Sequence, residues 1–226
     1  MKNKSYIGIS FIILLFGIIF IPKIITRIKS GSIVQNDRMS SLNQKEIDTS
    51  LLVIGNAPSF ELINQNNIKI TNKDYQNKVY VLEFFFSTCP TICPVMNANM
   101  KKIDSVYGKN NDFGIASITI NPENDTPEVL KKHAQGLQIT NPNWHFLTGD
   151  KKYIFALATN GFNIFAAENS KVNGGFEHSG LFALIDKNGK IRCRKDTFNN
   201  PILYYDGLQP EGIEAIKQDI KKLLEE

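Results

Sequence analysis

Val79-Tyr80-Val81-Leu82-Glu83-Phe84-Phe85-Phe86 runs without a break into Ser87-Thr88-Cys89-Pro90-Thr91-Ile92-Cys93-Pro94. The first eight residues are a continuous apolar run of strand length, suited to a strand buried on both faces. Pro94 to Tyr107 carries a helical pattern, with Val95, Met96, Met100, Ile103 and Val106 on one side. Two thiols thus stand where a buried strand hands over to a helix. Upstream, Phe60 to Ile70 reads as a hairpin around residues 64–67. Downstream, Phe113 to Ile120 is a second buried strand. Thr126-Pro127-Glu128 opens a helix with a capping hydroxyl, a proline at the first helical position and an acid in the first turn. Trp144 to Leu147 is a short strand, followed by a helix from Lys151 to Asn160. Leu181 to Asp186 and Lys190 to Arg194 form a hairpin about Asn188-Gly189. Pro210 to Leu224 is a last helix with Ile213, Ile216, Ile220 and Leu224 on one face. This alternation predicts an α/β domain, a central mixed sheet with helices on both faces.

The chemistry is concentrated in the cysteine loop. A helix N-terminus carries partial positive charge, so thiols placed there favour the thiolate, the form that binds metal or attacks a disulfide. With a helix starting inside the loop, Cys89 and Cys93 lie one turn apart on the same side. The pair then either binds a single metal ion or closes a reversible disulfide. The bracketing prolines and the strand-to-helix position argue against two merely structural cysteines.

Redox loops of the thioredoxin type have two residues between their cysteines, and this one has three. Thioredoxin-like disulfide exchangers also set a cis-proline opposite the cysteines, before a late strand. No proline occurs here between Pro142 and Pro201. The late strand is approached instead by Gly175-Phe176-Glu177-His178-Ser179-Gly180, which places a histidine about where that proline would be. Two thiolates and an imidazole converging on one point suit copper: thiolates select Cu(I), and imidazole serves Cu(I) and Cu(II) alike. A structural zinc would usually have a fourth protein ligand.

The segment from Val79 to Pro94 resembles the Sco/SenC family of copper proteins. So do Ile120-Asn121-Pro122-Glu123-Asn124-Asp125-Thr126-Pro127, Trp144-His145-Phe146-Leu147-Thr148-Gly149, and His178-Ser179 before a strand. The resemblance covers roughly residues 55 to 226. It implies a thioredoxin-like fold, a membrane anchor, copper held by Cys89, Cys93 and His178, and a part in assembling the binuclear copper centre of cytochrome c oxidase. The implied partners are the copper-bearing oxidase subunit and a copper donor protein, with the domain on the periplasmic or extracytoplasmic side. The same two thiols also suit a thiol-disulfide oxidoreductase that reduces the cysteines of such a partner; Cys89 and Cys93 would then be the catalytic pair. In one place the chain departs from the family, which commonly has aspartate where Asn121 stands. An amide supplies neither the charge nor the basic oxygen of a carboxylate, and groups around a metal site tune its ligands. Asp125 is retained; its place at a helix start points to capping.

The chain has 226 residues, a formal charge of +4, three cysteines and three histidines, with 42% hydrophobic and 21% charged residues. That composition supports a packed core and excludes a disordered chain or a disulfide-stapled scaffold. The lysines are spread along the chain, so charge gives no nucleic-acid footprint. Ile7 to Ile21 is nearly unbroken apolar sequence, preceded by Lys2 and Lys4 and followed by Pro22, Lys23, Arg27 and Lys29. Extended to Ile25 it is about the twenty residues that span a bilayer. No alanine precedes Ala57, so an Ala-x-Ala cleavage site is missing and an uncleaved transmembrane helix is expected. Positive charge at both ends leaves its orientation open. The expected organisation is a membrane anchor over 1–25, a polar tether over 26–57 and the copper-binding domain over 58–226. The lack of an Arg-rich amphipathic leader points to a bacterial inner membrane rather than to mitochondrial import. His133 reads as solvent-facing or half-buried on its helix, His145 as packing or surface, Met96 and Met100 as a core stripe, and Cys193 as a free thiol.

Overall fold

The structure is a computed structural model that describes residues 5–29 and 50–226. The chain divides into two units, residues 1–48 and 49–226. In the first, α1 spans Ser5–Lys29, with Pro22 inside it. Among the described residues no helix is long and apolar enough to cross a membrane. The transmembrane helix expected over residues 1–25 is therefore not borne out by the described residues. Most of the expected tether, residues 30–49, lies outside them.

The second unit is built on β1 (Leu52–Asn56), β2 (Glu61–Asn64), β3 (Lys69–Thr71), β4 (Val79–Phe85), α2 (Cys93–Tyr107), β5 (Phe113–Thr119), α3 (Pro127–Gly136), β6 (Trp144–Thr148), α4 (Lys151–Ala156), β7 (Ala166–Glu168), β8 (Phe176–His178), β9 (Leu181–Ile185), β10 (Lys190–Lys195), β11 (Pro201–Ile202), β12 (Tyr205–Asp206) and α5 (Pro210–Glu225). The main sheet has the order β1-β10-β9-β4-β5-β6-β2-β3, with β11 beside β10 and β12 beside β9. It is mixed: β4, β5 and β6 are parallel, and β9 joins β4 antiparallel. Every residue of β4 and β5 is buried, as the unbroken apolar runs predicted. Successive residues of a strand point to opposite faces. Phe85 accordingly meets His133 of α3, while its neighbour Phe84 meets Phe162 beyond α4.

Three features depart from the sequence reading. Leu52–Asn56, read as the end of the tether, is an edge strand paired with β10 across a bulge. Val95 and Val106 point to solvent; α2 buries Met96, Met100 and Ile103 together with Cys93, Asn97 and Asn99. A separate two-stranded ribbon, β7–β8, stands off the main sheet.

The last helix is locked by a buried charge. Asp219 on α5 is fully buried and accepts from Arg194 Nε at 2.8 Å and from the Tyr205 hydroxyl at 2.8 Å. Removing one partner of a buried pair leaves the other unpaired, whereas exposed pairs contribute little. Asp219→Asn is expected to lower stability by about 3 kcal/mol in urea unfolding. Glu214→Gln, which removes the exposed partner of Lys217, should shift it by less than ~0.5 kcal/mol.

Candidate metal centre

The loop after β4 is held at both ends. Its first turn closes through the Cys89 N–H, which donates to the Phe86 carbonyl at 3.2 Å. Helix α2 starts at Cys93, and its N-cap residue, Ile92, has no capping side chain. The Cys89 sulfur supplies that function instead, accepting from the Cys93 N–H at 3.5 Å. An anionic sulfur at this position meets both an orphan helix N–H and the positive end of the helix dipole. Cys89 itself lies in the preceding turn and not within the helix.

The third donor arrives on the ribbon. His178 ends β8 and pairs with Ala166 of β7, and the Ser179 N–H donates to the Phe165 carbonyl at 3.1 Å. Gly174, at φ +94°, leaves the ribbon close against the cysteine loop: a Cβ there would come within 3.0 Å of Pro90 and 3.2 Å of Phe86. The His178 ring lies edge-on to Phe86 at 5.8 Å. Its Nδ1 is 3.3 Å from the Ser179 carbonyl. With Nδ1 engaged there, Nε2 is the ring nitrogen that faces the sulfurs. Nε2 is 3.1 Å from Cys93 Sγ, and the donor atoms of Cys89, Cys93 and His178 all lie within 4.8 Å of one another. The structure brings together the three residues singled out from the sequence. All three cysteines are free thiols.

The two sulfurs differ electrostatically. Burial alone would raise the Cys89 thiol, but hydrogen bonds from His178 and from the Cys93 and Thr91 N–H groups outweigh it and lower it to about 5. Burial pushes the Cys93 thiol far above its ordinary range; the Cys89 thiolate and Glu83 add to this, and the Phe86 N–H opposes it. Cys89 is the ready thiolate and Cys93 the thiol that must still lose a proton.

Glu83 is the residue that sequence reasoning passed over, although an acid inside an otherwise apolar strand run was the signal. It is fully buried, and burial lifts its carboxyl to about 7 against a hydrogen bond from Ser117. One oxygen accepts from the Ser117 hydroxyl at 2.7 Å, while Oε2 has no partner. Asp125 also differs from expectation. The α3 cap is Thr126, whose hydroxyl accepts from the Val129 N–H. Asp125 is fully buried and binds Ser87 at the start of the cysteine loop. The Asn121 N–H donates to the Thr119 hydroxyl, and its carbonyl accepts from Asn124 and Asp125.

The remaining candidates are packing residues, His133 included, whose ring is half-buried on its helix. His133 lies between Phe85 and Phe146, and burial lowers its basicity. His145 contacts Asn64 and Tyr75. Met96 and Met100 are core, and Cys193 is buried in β10. A cavity of about 320 Å³ opens beside the sulfurs, lined by Ser87, Cys89, Cys93, Asn97, Lys101 and His133 among others.

Comparison with known proteins places this geometry. The SCO1/SenC family profile matches residues 55–209, more than half of the chain. The chain belongs to the SCO1/SenC family. It is 31% identical over 168 residues to the SCO1 protein homolog of Bacillus subtilis, covering 72% of this chain and 79% of that one. It shares 26% identity and a TM-score of 0.62 with BsSco, described as a Sco-family cytochrome c oxidase assembly protein with a disulfide switch; coverage is 78% and 97%. ScoI of Bradyrhizobium japonicum, solved with copper bound, has the same fold at 22% identity and a TM-score of 0.58, covering 74% of this chain and 99% of that one.

The depressed Cys89 thiol gives a pH signature. In the reduced protein one thiolate should titrate near pH 5 by its ultraviolet absorbance, and Cys89→Ser should abolish that step. The linkage has a definite sign. Because the folded value lies below the unfolded one, the stabilisation is complete above the unfolded thiol's range and is lost as pH falls through about 5. Urea unfolding of parent and Cys89→Ser across pH 4–9 (roughly the window set by ordinary and depressed thiols) should show the parent losing more stability on acidification.

Proposed function

We propose that this protein is a membrane-anchored copper metallochaperone that assists assembly of the binuclear copper centre of cytochrome c oxidase. Copper is its cargo, held by Cys89, Cys93 and His178. The observation that carries this reading is the meeting of two thiols and an imidazole within 4.8 Å. Soft sulfur donors favour Cu(I), and a borderline imidazole keeps Cu(II) accessible. Three protein donors also leave a coordination position open, as release to a partner requires and as a structural zinc site would not. The copper-bound ScoI and the oxidase-assembly description of BsSco point the same way. Residues 1–25 are the single-pass anchor and the tether ends before the strand Leu52–Asn56, and the copper domain faces the periplasm or cell exterior.

A second reading is favoured by the low Cys89 thiol. A thiolate at neutral pH is a nucleophile, and the neighbouring Cys93 thiol could resolve a mixed disulfide. In that case Cys89 and Cys93 are a reversible redox pair acting on an oxidase subunit's cysteines. His178 separates the two readings by role: in disulfide exchange it only lowers the Cys89 thiol, whereas in copper binding it is a ligand.

The full-length protein in detergent, reduced and anaerobic, should take up one Cu(I). His178→Ala should weaken binding by roughly 100-fold or more in competition with a chelator, and Cys89→Ala or Cys93→Ala should weaken it further. Failure of the parent to take up Cu(I), with disulfide exchange intact, would overturn the copper reading in favour of the redox one, and unchanged affinity in His178→Ala would remove the imidazole from the ligand set.

A further inference from the structure

We infer that Asp125 is a positioning residue for the copper loop: it fixes the peptide unit from which Cys89 is presented. This rests on the reading of Cys89, Cys93 and His178 as the copper ligands, and the test below separates the two.

Asp125 follows β5 and precedes α3, yet it reaches Ser87 just past the end of the neighbouring strand β4. Its Oδ2 accepts from the Ser87 N–H at 2.9 Å, and its Oδ1 accepts from the Ser87 hydroxyl. The Thr119 hydroxyl and the Asn124 amide, the latter at 2.8 Å, complete the set. A fully buried carboxylate is stable only with such a set of donors. Two of these bonds go to one residue, 38 positions upstream and two before Cys89.

The Ser87 N–H and the Phe86 carbonyl belong to the same peptide unit, which is planar. Asp125 holds its N–H end, and the carbonyl end accepts from the Cys89 N–H at 3.2 Å. With the N–H end tied, the carbonyl keeps its direction, and so does the turn that carries the Cys89 sulfur to the Cys93 N–H. Without the carboxylate the plane is free to rotate. The Cys89 N–H then loses its acceptor, and the sulfur leaves the position where it faces both Cys93 and His178. The β5 side of the arrangement is fixed as well: the Ile120 N–H bonds to the Phe85 carbonyl at 2.8 Å, and the Asp125 N–H to the Asn121 carbonyl at 2.9 Å. Asp125 therefore joins the ends of two adjacent parallel strands beneath the copper loop.

The test uses the full-length protein with Asp125→Asn, with Asp125→Glu, and with Asp219→Asn as a buried carboxylate lost outside the loop. Two quantities are read under conditions where circular dichroism shows each variant folded. The first needs no copper: amide hydrogen exchange over residues 86–93 in the apo-protein. Asp125→Asn should speed exchange at Cys89 by roughly tenfold relative to Asp219→Asn. The second is Cu(I) affinity together with the energy of the Cu(II)–thiolate absorption band. Asp125→Asn should weaken affinity by roughly tenfold and shift the band, whereas Asp219→Asn should keep the parent band. If Asp125→Asn does not fold, Asp125→Glu decides, since it keeps a carboxylate at this position but moves its oxygens off the Ser87 N–H. Faster Cys89 exchange in it supports the inference, and parent-like exchange overturns it. Equal exchange and an equal band in Asp125→Asn and Asp219→Asn also overturn it. A parent that binds no copper refutes the copper reading, while the exchange result still decides whether Asp125 positions the loop.

Discussion

A 3.1 Å approach between Cys93 Sγ and His178 Nε2 is the contact on which the site depends. It joins residues 85 positions apart. Neither residue is held by the other alone. Cys93 is the first residue of α2, placed by a strand buried along its whole length. His178 is placed by a ribbon packed on the cysteine loop through Gly174, and by Lys151, which ion-pairs with Glu168 of that ribbon and with Glu123. The fully buried part of the fold thus carries the sulfurs, and a smaller, partly exposed element carries the imidazole. That division suits a site which must accept and surrender an ion, since motion is drawn from less buried elements.

The two thiols share a loop but not an environment. Cys89 takes the helix N–H and the imidazole, and its thiol is lowered; Cys93 is more enclosed, beside the Cys89 sulfur and the buried Glu83, and its thiol is raised. One ligand is therefore ready before a cation arrives, and the other yields its proton when it binds. The same asymmetry suits nucleophilic attack by Cys89, which is why thiol chemistry and copper chemistry draw on one geometry.

Much of this was legible in the sequence, for local reasons. Val79–Phe86 and Phe113–Ile120 announce themselves because strands covered on both faces need no polar alternation. Thr126-Pro127 marks a helix start because capping is decided within one turn. Even His178 could be placed, since a missing proline before a late strand is visible in the chain itself. What stayed hidden is long-range. Asp125 looks like a cap when read beside Pro127, but its partner is Ser87. The edge strand Leu52–Asn56 exists because β10 offers it hydrogen bonds, and its residues show no clean alternation. Val95 and Val106 fit an apolar stripe on paper, yet α2 buries Asn97 and Asn99 instead; the Asn99 amide donates to the Gly207 carbonyl at 2.8 Å.

The most direct measurement is X-ray absorption at the copper edge of the loaded, reduced protein, compared with His178→Ala. The account predicts two sulfur scatterers and one imidazole nitrogen in the parent, with the imidazole multiple-scattering signal lost in the variant. A parent spectrum with sulfur alone, or one that His178→Ala leaves unchanged, would contradict it.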